Sequence, residues 1–226
     1  MKTIKFFKIV LIFFLLNTSK SFSLIEVDIT RGNLNPLPIA VSPLFQSNKS
    51  KKLSQNKLSL EDLGLEIAKV IENNLKLSGL FNPLSRDAFL QKPDIAHLKP
   101  RFEDWSLIKA QALITGKVLI ENDKLKVEFR LWDVLAGREM LALAFTTVPS
   151  NWRRVGHIIT DKVYERLTGE KGYFDTRIIY VSEEGPKTQR VKKLAIMDQD
   201  GFNTKYLTLG NELVLTPRFN PTNQMV

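Results

Sequence analysis

Chemistry in this 226-residue chain would have to come from two histidines and several carboxylates, because the sequence contains no cysteine. Without thiolates, cysteine nucleophiles and thiolate metal sites are excluded. His97 lies in the stretch "DIAHLKP", where we interpret it as a surface histidine of a loop. His157 lies on a predicted helix that also carries Arg153, Arg154 and Asp161. We interpret His157 as a half-exposed residue beside Asp161, one helical turn further on, rather than as a catalytic group.

The remaining motifs predict no active site. The sequence has no Gly-x-Ser-x-Gly elbow, no His-Glu-x-x-His pair and no glycine-rich phosphate loop. The stretch "LTGEKG" follows a predicted helix, so we interpret it as a helix end and a linker. The acid pairs Glu61-Asp62 and Glu103-Asp104 fall in the first turns of predicted helices, where the helix dipole stabilises negative charge. We therefore expect no catalytic residue, no metal site and no cofactor.

The first 23 residues have the features of a secretory signal peptide. Three lysines precede an eight-residue apolar run, Ile9 to Leu16, and small residues occupy Ser21 and Ser23. A helix that spans a bilayer needs about 20 apolar residues, so this run is too short for one. An uncleaved anchor or a buried core helix is the alternative. We expect export, cleavage between Ser23 and Leu24, and no membrane span after the signal is removed.

The charge of the mature chain argues against nucleic-acid binding. The signal segment holds four of the 33 basic residues and none of the 24 acids, so 29 basic residues remain and the net charge falls from +9 to +5. The lysines are scattered instead of alternating with aromatic residues on one face, as a nucleic-acid surface requires. The lack of cysteine also excludes disulfides and a lipid-anchored N-terminus. We expect a mildly basic, soluble protein.

Two amphipathic helices are predicted. The first begins at the capping box Ser59-x-x-Asp62 and ends at Gly79, and the second is capped by Ser150 and ends at Gly169. Apolar residues of the second helix recur at helical spacing and form one stripe: Trp152, Val155, Ile159 and Val163. A shorter helix over "RFEDWSLIKA" is expected to carry Trp105 inward.

Strands surround these helices in the sequence. "LIEVDIT" (Leu24–Thr30) and "LPIAVSPLF" (Leu37–Phe45) are predicted strands, and three longer strands follow, separated by turns at Asn122-Asp123 and Ala136-Gly137. Short turns make these three strands an antiparallel meander. The middle strand should bury Leu125, Val127, Phe129 and Leu131. The fold class is therefore α+β, a mixed sheet with two main packed helices.

The pattern changes after a linker over residues 169–175. "RIIYVSEE", "QRVKKLAIMDQD" and "TKYLTLG" are short strands that are separated by Gly or Asn turns, with no helix between them. This arrangement is typical of the first blade of a β-propeller. The predicted organisation is a signal peptide (1–23), an α+β domain (24–168), the linker, and one blade of an incomplete propeller (176–226).

The start of the mature chain is the candidate partner site. An extended segment at a free end can add a strand to the sheet of another protein, with main-chain hydrogen bonds that provide the affinity. It can equally pair within its own domain, and the residues alone do not decide between the two.

Several stretches resemble the TolB family of periplasmic proteins. "LKLSGLFNPLSRDAF" (75–89) resembles the end of the family's first helix, and "GHIITDKVYERLTGEKGYFDTRIIYV" (156–181) resembles its second helix, its linker and its first propeller strand. "MDQDGFNTKYLT" resembles the Asp-Gly turn of the first blade. The resemblance extends over essentially the whole mature chain.

This resemblance implies a non-enzymatic periplasmic adaptor. Such an adaptor links the inner-membrane protein TolA to the outer-membrane lipoprotein Pal, and it supports outer-membrane integrity and constriction during cell division. The mature N-terminus would contact TolA by strand addition, although it lacks the Asp-Ser-Gly character of the family segment. That contact segment comprises Leu24, Ile25, Glu26, Val27, Asp28, Ile29, Thr30, Arg31, Gly32, Asn33, Leu34 and Asn35. Pal would contact the propeller, which is mostly missing from this chain.

The last residues, "TPRFNPTNQMV", resemble the turn between two blades of the family, with Phe219, Thr222 and Asn223 at its Trp, Asp and Gly positions. We therefore expect a fragment or a truncated reading frame.

Two alternatives remain open. One is the front part of a propeller-bearing serine peptidase, which needs a hydrolase domain further along the chain. The other is an accessory domain of an envelope secretion or assembly machine, since "IAVSPLF" and "LGLEIAKVIENNLKLSGLF" also resemble relatives of the curli secretion channel. Those relatives are commonly lipidated, and the missing cysteine counts against this alternative.

Overall fold

The computed structural model describes residues 35–46 and 60–220. The predicted signal peptide, its cleavage site, the strand Leu24–Thr30 and the helix cap Ser59 lie outside the described residues, as does the turn beyond residue 220. Of the predicted contact segment, only Asn35 is described.

A mixed six-stranded sheet forms the first part of the fold. Strand β1 runs parallel to its neighbours β3 and β4, and the long strands β4, β5 and β6 form the predicted antiparallel meander. In chain order the strands are β1 (Leu37–Val41), β2 (Phe45–Gln46), β3 (Phe81–Pro83), β4 (Ala112–Glu121), β5 (Lys124–Asp133) and β6 (Arg138–Thr147). The spatial order is β3-β1-β4-β5-β6, and β2 pairs with β4 outside this path.

The predicted strand Leu37–Phe45 is interrupted. Strand β1 ends at Val41, and pairing with β4 resumes only at Phe45. Proline has no N–H and cannot donate to a strand ladder, so Pro43 breaks the pairing between these two positions.

The meander agrees with the sequence analysis. Asn122 and Asp123 have φ angles of 48° and 57°, which a tight two-residue hairpin turn requires at both central positions. The predicted inward face of β5 is buried. Strand β6 lies at the edge of the sheet, beside β5.

Two long helices cover one face of this sheet. Helix α1 (Leu60–Leu77) and helix α4 (Trp152–Thr168) pack against each other and against the central strands, and together they enclose the main core. Both helices are followed by a glycine in the left-handed region, Gly79 at φ 73° and Gly169 at φ 76°, as predicted. Within the described ranges, no helix combines the length and the apolar character that crossing a bilayer requires.

The start of α4 differs from the prediction. Ser150 does not cap the helix, because Pro149–Asn151 form a 3₁₀ turn and Asn151 takes the cap position without a side-chain hydrogen bond. Proline at the first position of a helical turn is well tolerated, and it moves the boundary by one residue.

Two short helices cover the opposite face of the sheet. They are α2 (Pro93–Ala96) and α3 (Phe102–Leu107), and α3 carries Trp105 into a second, smaller core as predicted. The Trp105 indole N–H donates to Gln91 Oε1 at 3.0 Å. This bond satisfies the polar atom of a fully buried side chain.

The second sheet has three antiparallel strands, β7 (Arg177–Glu184), β8 (Val191–Asp198) and β9 (Lys205–Tyr206). Strand β9 is shorter than predicted. The Leu207 N–H still donates to Leu194 O at 2.7 Å, but the Leu194 N–H donates to the hydroxyl of Thr208 at 2.9 Å, so a side chain replaces one of the two backbone bonds of the next pair.

Gly64 provides a test of the packing between α1 and the loop before β2. A Cβ at this position would overlap the carbonyl group of Leu44, and the Leu44 N–H donates to Gly64 O at 3.2 Å. Gly64→Ala should lower the free energy of unfolding by about 1–3 kcal/mol, the cost of overpacking, despite the better helix propensity of alanine.

Chemical denaturation measures this effect, and Asn73→Ala is the matched control. Asn73 is exposed on the same helix, so its replacement should leave stability unchanged or slightly higher. Equal stability of the two variants would contradict the packing argument.

Candidate functional site

Helix α4 meets the second sheet at the turn that follows β8. Arg153 and His157 are four residues apart, so they lie on the same side of α4, and both approach the carboxylates of Asp198 and Asp200. We call these four residues the junction cluster.

The turn of residues 198–203, "DQDGFN", holds both carboxylates in place. The Asn203 amide donates to Asp198 Oδ2 at 2.5 Å, and the Phe202 N–H donates to Asp200 Oδ1 at 3.3 Å. Gly201 and Asn203 have φ angles of 87° and 56°, and glycine and asparagine adopt such positive φ angles more readily than other residues. The turn therefore orients both acids through hydrogen bonds within its own residues.

The cation of the junction cluster is Arg153. Its guanidinium binds the fully buried carboxylate of Asp200 directly, and its Nε lies 3.7 Å from Asp198 Oδ2. The same guanidinium lies over the ring of Phe202, 4.0 Å from its centroid. Such stacking favours arginine over lysine at this position.

His157 is buried, and the interpretation of a half-exposed residue beside Asp161 is wrong. Only 3% of its side chain is exposed, its Nδ1 lies 2.9 Å from the amide nitrogen of Asn74, and its Nε2 faces Asp198 and Asp200 at 3.8 and 3.9 Å. Burial lowers the pKa of His157, and the nearby Asp200 carboxylate opposes this shift. The prediction failed because a turn 41 positions further along the chain covers this side of α4, which local helical spacing does not reveal.

Asn74 connects helix α1 to this region. It is fully buried, it bonds to Thr160 Oγ1 at 3.3 Å, and its Oδ1 accepts the amide N–H of Gln199 at 3.0 Å. One side chain therefore joins α1, α4 and the turn after β8. No role is predicted for Asn74 from the sequence, since an asparagine inside a helix gives no signal of a distant partner.

Asp161 holds the linker instead of pairing with His157. Its two carboxylate oxygens accept the N–H groups of Phe174 at 2.6 Å and Asp175 at 3.1 Å. Burial raises the pKa of Asp161, while the two N–H donors act in the opposite direction. Phe174 is buried in the main core, and Asp175 pairs with Arg154 at 3.0 Å. The linker is therefore attached to α4 at consecutive residues.

The other histidine and the acid pairs considered in the sequence lie outside the junction cluster. His97 is partly exposed at the end of α2 and stacks on Phe45, with ring centroids 4.3 Å apart. Asp62 lies in the first turn of α1, and Glu103 and Asp104 lie in that of α3, as predicted.

These contacts define the class of protein: an α+β domain that is joined through a buried polar junction to an open antiparallel blade. A family model described as the TolB amino-terminal domain matches residues 25–140, and one described as the TolB beta propeller domain matches residues 164–226. The Tol-Pal system protein TolB of Pelagibacter ubique (strain HTCC1062) is 79% identical over 215 residues, which cover 95% of this chain. The chain belongs to the TolB family. It spans about half the length of this curated relative, 48%.

Solved structures agree with the fold. The crystal structure of TolB from Acinetobacter baumannii has a TM-score of 0.64 at 23% identity, covering 87% of this chain and 44% of that one. This likeness, together with the propeller match, confirms the predicted α+β fold and the incomplete propeller blade. The C-terminal domain of LpoB from Salmonella enterica gives a TM-score of 0.35 at 11% identity over 52% of this chain and 86% of that one, from which no relationship follows.

Asp161→Ala tests the attachment of the linker. The change removes both acceptors for the Phe174 and Asp175 N–H groups, and each hydrogen bond to a charged partner contributes about 1.5–3 kcal/mol. Hydrogen exchange at these two amides should accelerate at least tenfold, and trypsin should cleave faster at Lys171. Glu165→Ala is the control, because Glu165 is exposed on the same helix and pairs with Lys162 alone among the contacts described. Unchanged exchange in the Asp161 variant would show that the linker is held by Phe174 packing.

Proposed function

We propose that this chain is the N-terminal part of a non-enzymatic periplasmic adaptor of the Tol–Pal system. The observation that carries the proposal is the 79% identity to a Tol-Pal system protein over nearly the whole chain. In this role the protein links a TolA-like protein of the inner membrane to a Pal-like lipoprotein of the outer membrane. It thereby supports outer-membrane integrity and constriction during division. Family membership favours this function over the serine peptidase and the secretion accessory domain.

The TolA-like partner binds the segment Leu24–Asn35 by strand addition in this proposal. Asn35 and Pro36 are exposed, and strand β1 begins directly after them at Leu37, whose N–H donates to Leu80 O at 2.9 Å. The segment therefore joins the fold at the surface, where a partner sheet can reach it. Its alternating residues allow main-chain pairing with specificity from one row of side chains.

The Pal-like partner binds the propeller side. The segment that follows β9 exposes Leu207, Leu209, Leu213 and Leu215, with 49 to 86% of each residue accessible. Exposed leucines suit packing against a further blade of the propeller, the unit to which we assign the Pal-like partner. In this proposal residues 24–168 form the domain whose first segment, 24–35, binds the first partner, residues 169–175 form the linker, and residues 176–226 begin the unit that the second partner recognises.

Deletion of residues 24–35 tests the first contact. Calorimetric titration with the C-terminal domain of TolA should show binding to the chain that starts at Leu24 and at least 100-fold weaker binding to the deletion variant. The thermal unfolding of the two proteins should agree, because strand β1 and its partners remain.

A matched pair of substitutions separates strand addition from side-chain recognition. Val27→Pro removes a main-chain donor and should weaken binding strongly, whereas Val27→Thr keeps that donor and should bind at near full strength. Full affinity of both the deletion and the proline variant would overturn the proposed contact.

A further inference from the structure

The junction cluster contains a buried nitrogen that lacks a partner. His157 Nε2 makes no hydrogen bond, although only 3% of the side chain is exposed. A buried polar atom without a partner costs about 1–3 kcal/mol. Asp198 Oδ2 at 3.8 Å and Asp200 Oδ2 at 3.9 Å are too distant to accept a hydrogen bond from it.

The spacing of these three atoms suits a metal ion. His157 Nε2 and one oxygen each of Asp198 and Asp200 all lie within 4.8 Å of one another, and among the described residues they are the one such group of three. Ligands of a tetrahedral zinc ion bond at about 2.0–2.2 Å, which places the ligand atoms about 3.3 Å apart. Side-chain movements of about 0.5 to 1.5 Å would therefore close the site around an ion.

The charge of the cluster favours a further cation. Two carboxylates face one guanidinium, so the cluster carries one net negative charge while His157 is neutral. Asp175, the nearest other acid on the linker, is already paired with Arg154. An uncompensated negative charge in a buried position attracts a cation strongly.

Each of the three ligand side chains also has an outer partner. Asn203 holds Asp198, and the Phe202 N–H holds Asp200. Asn74 lies against His157 Nδ1, and turning its amide would let its oxygen accept an Nδ1–H, leaving the Nε2 lone pair free for a metal. The Thr160 hydroxyl, which accepts from the Asn74 amide and donates to Gly156 O, would then turn to donate to the Asn74 oxygen. The Gln199 amide can turn with it and keep the bond between them. Metal-bound histidines are commonly oriented by such a carbonyl acceptor.

Arg153 is the competing cation. A metal ion at the cluster would displace its guanidinium from Asp200, while the contact with the Phe202 ring could persist. A cleft of about 320 Å³ beside the cluster is lined by Arg153, His157 and Asp198, and it gives an ion a path from the surface.

We propose that His157, Asp198 and Asp200 form a binding site for one Zn²⁺ ion, in competition with Arg153. The ion joins helix α4 directly to the turn after β8, so its binding fastens the α+β domain to the blade.

Calorimetric titration of the metal-free, tag-free chain with ZnCl₂ at pH 7.5 tests the site. We expect one ion per chain. His157→Leu, and the double change Asp198→Asn with Asp200→Asn, should weaken binding at least tenfold because they remove ligands. Arg153→Gln should strengthen binding at least threefold because it removes the competing cation. His97→Gln is the matched control, since it changes the only other histidine of the chain, and its affinity should equal that of the wild type.

If circular dichroism shows that any of these variants folds poorly, the wild type and His97→Gln still test the proposal, because both keep all three ligands and Arg153. Nitrogen chemical shifts of the His157 ring provide a second readout, because a coordinated Nε2 shifts differently from a free one. The proposal is overturned if neither the wild type nor Arg153→Gln binds zinc, if folded His157→Leu binds as tightly as the wild type, or if His97→Gln abolishes binding.

Discussion

The buried contact of Arg153 with Asp200 and Asp198 fixes how the two sheets meet. Little of these side chains is exposed, and removing one partner of a buried ion pair leaves an uncompensated charge that costs about 3–5 kcal/mol. The pair joins a helix of the first sheet to a turn of the second. The hydrogen bonds that Gln199 donates to Asn74 and that the linker donates to Asp161 stabilise the same arrangement.

Helix α4 contacts the mixed sheet with one side and the turn after β8 with another. Its apolar stripe, Val155, Ile159 and Val163, packs into the core of the mixed sheet. Its polar side carries Arg153 and His157 toward the blade. One rigid element therefore determines where the core lies and where the blade is attached, so a change on either side of the helix affects both.

Local signals in the sequence predicted most of the fold. The turn at Asn122-Asp123, the glycine ends of both long helices, the inward face of β5 and the buried Trp105 each follow from residues within one element, and the structure contains all of them. The junction could not be predicted in this way. His157 and Asp200 are 43 positions apart, so local spacing gives no sign of their contact. The histidine lies one helical turn before Asp161, which suggested a pair within the helix, but tertiary packing brings His157 to Asp198 and Asp200 instead. The cap of α4 lies one residue later than predicted because Pro149 begins a 3₁₀ turn.

The polar character of the junction has a consequence for folding as the exported chain emerges from its N-terminal end. Domains generally fold as units from the N-terminus, so the mixed sheet and α4 can form before the turn at residues 198–203 has emerged. During that interval the uncovered side of α4 presents an arginine and a histidine to water instead of an apolar stripe. A partly folded chain with such a polar surface has little tendency to associate with other copies. Arg153 and His157 then bind the acidic turn once residues 198–203 have emerged.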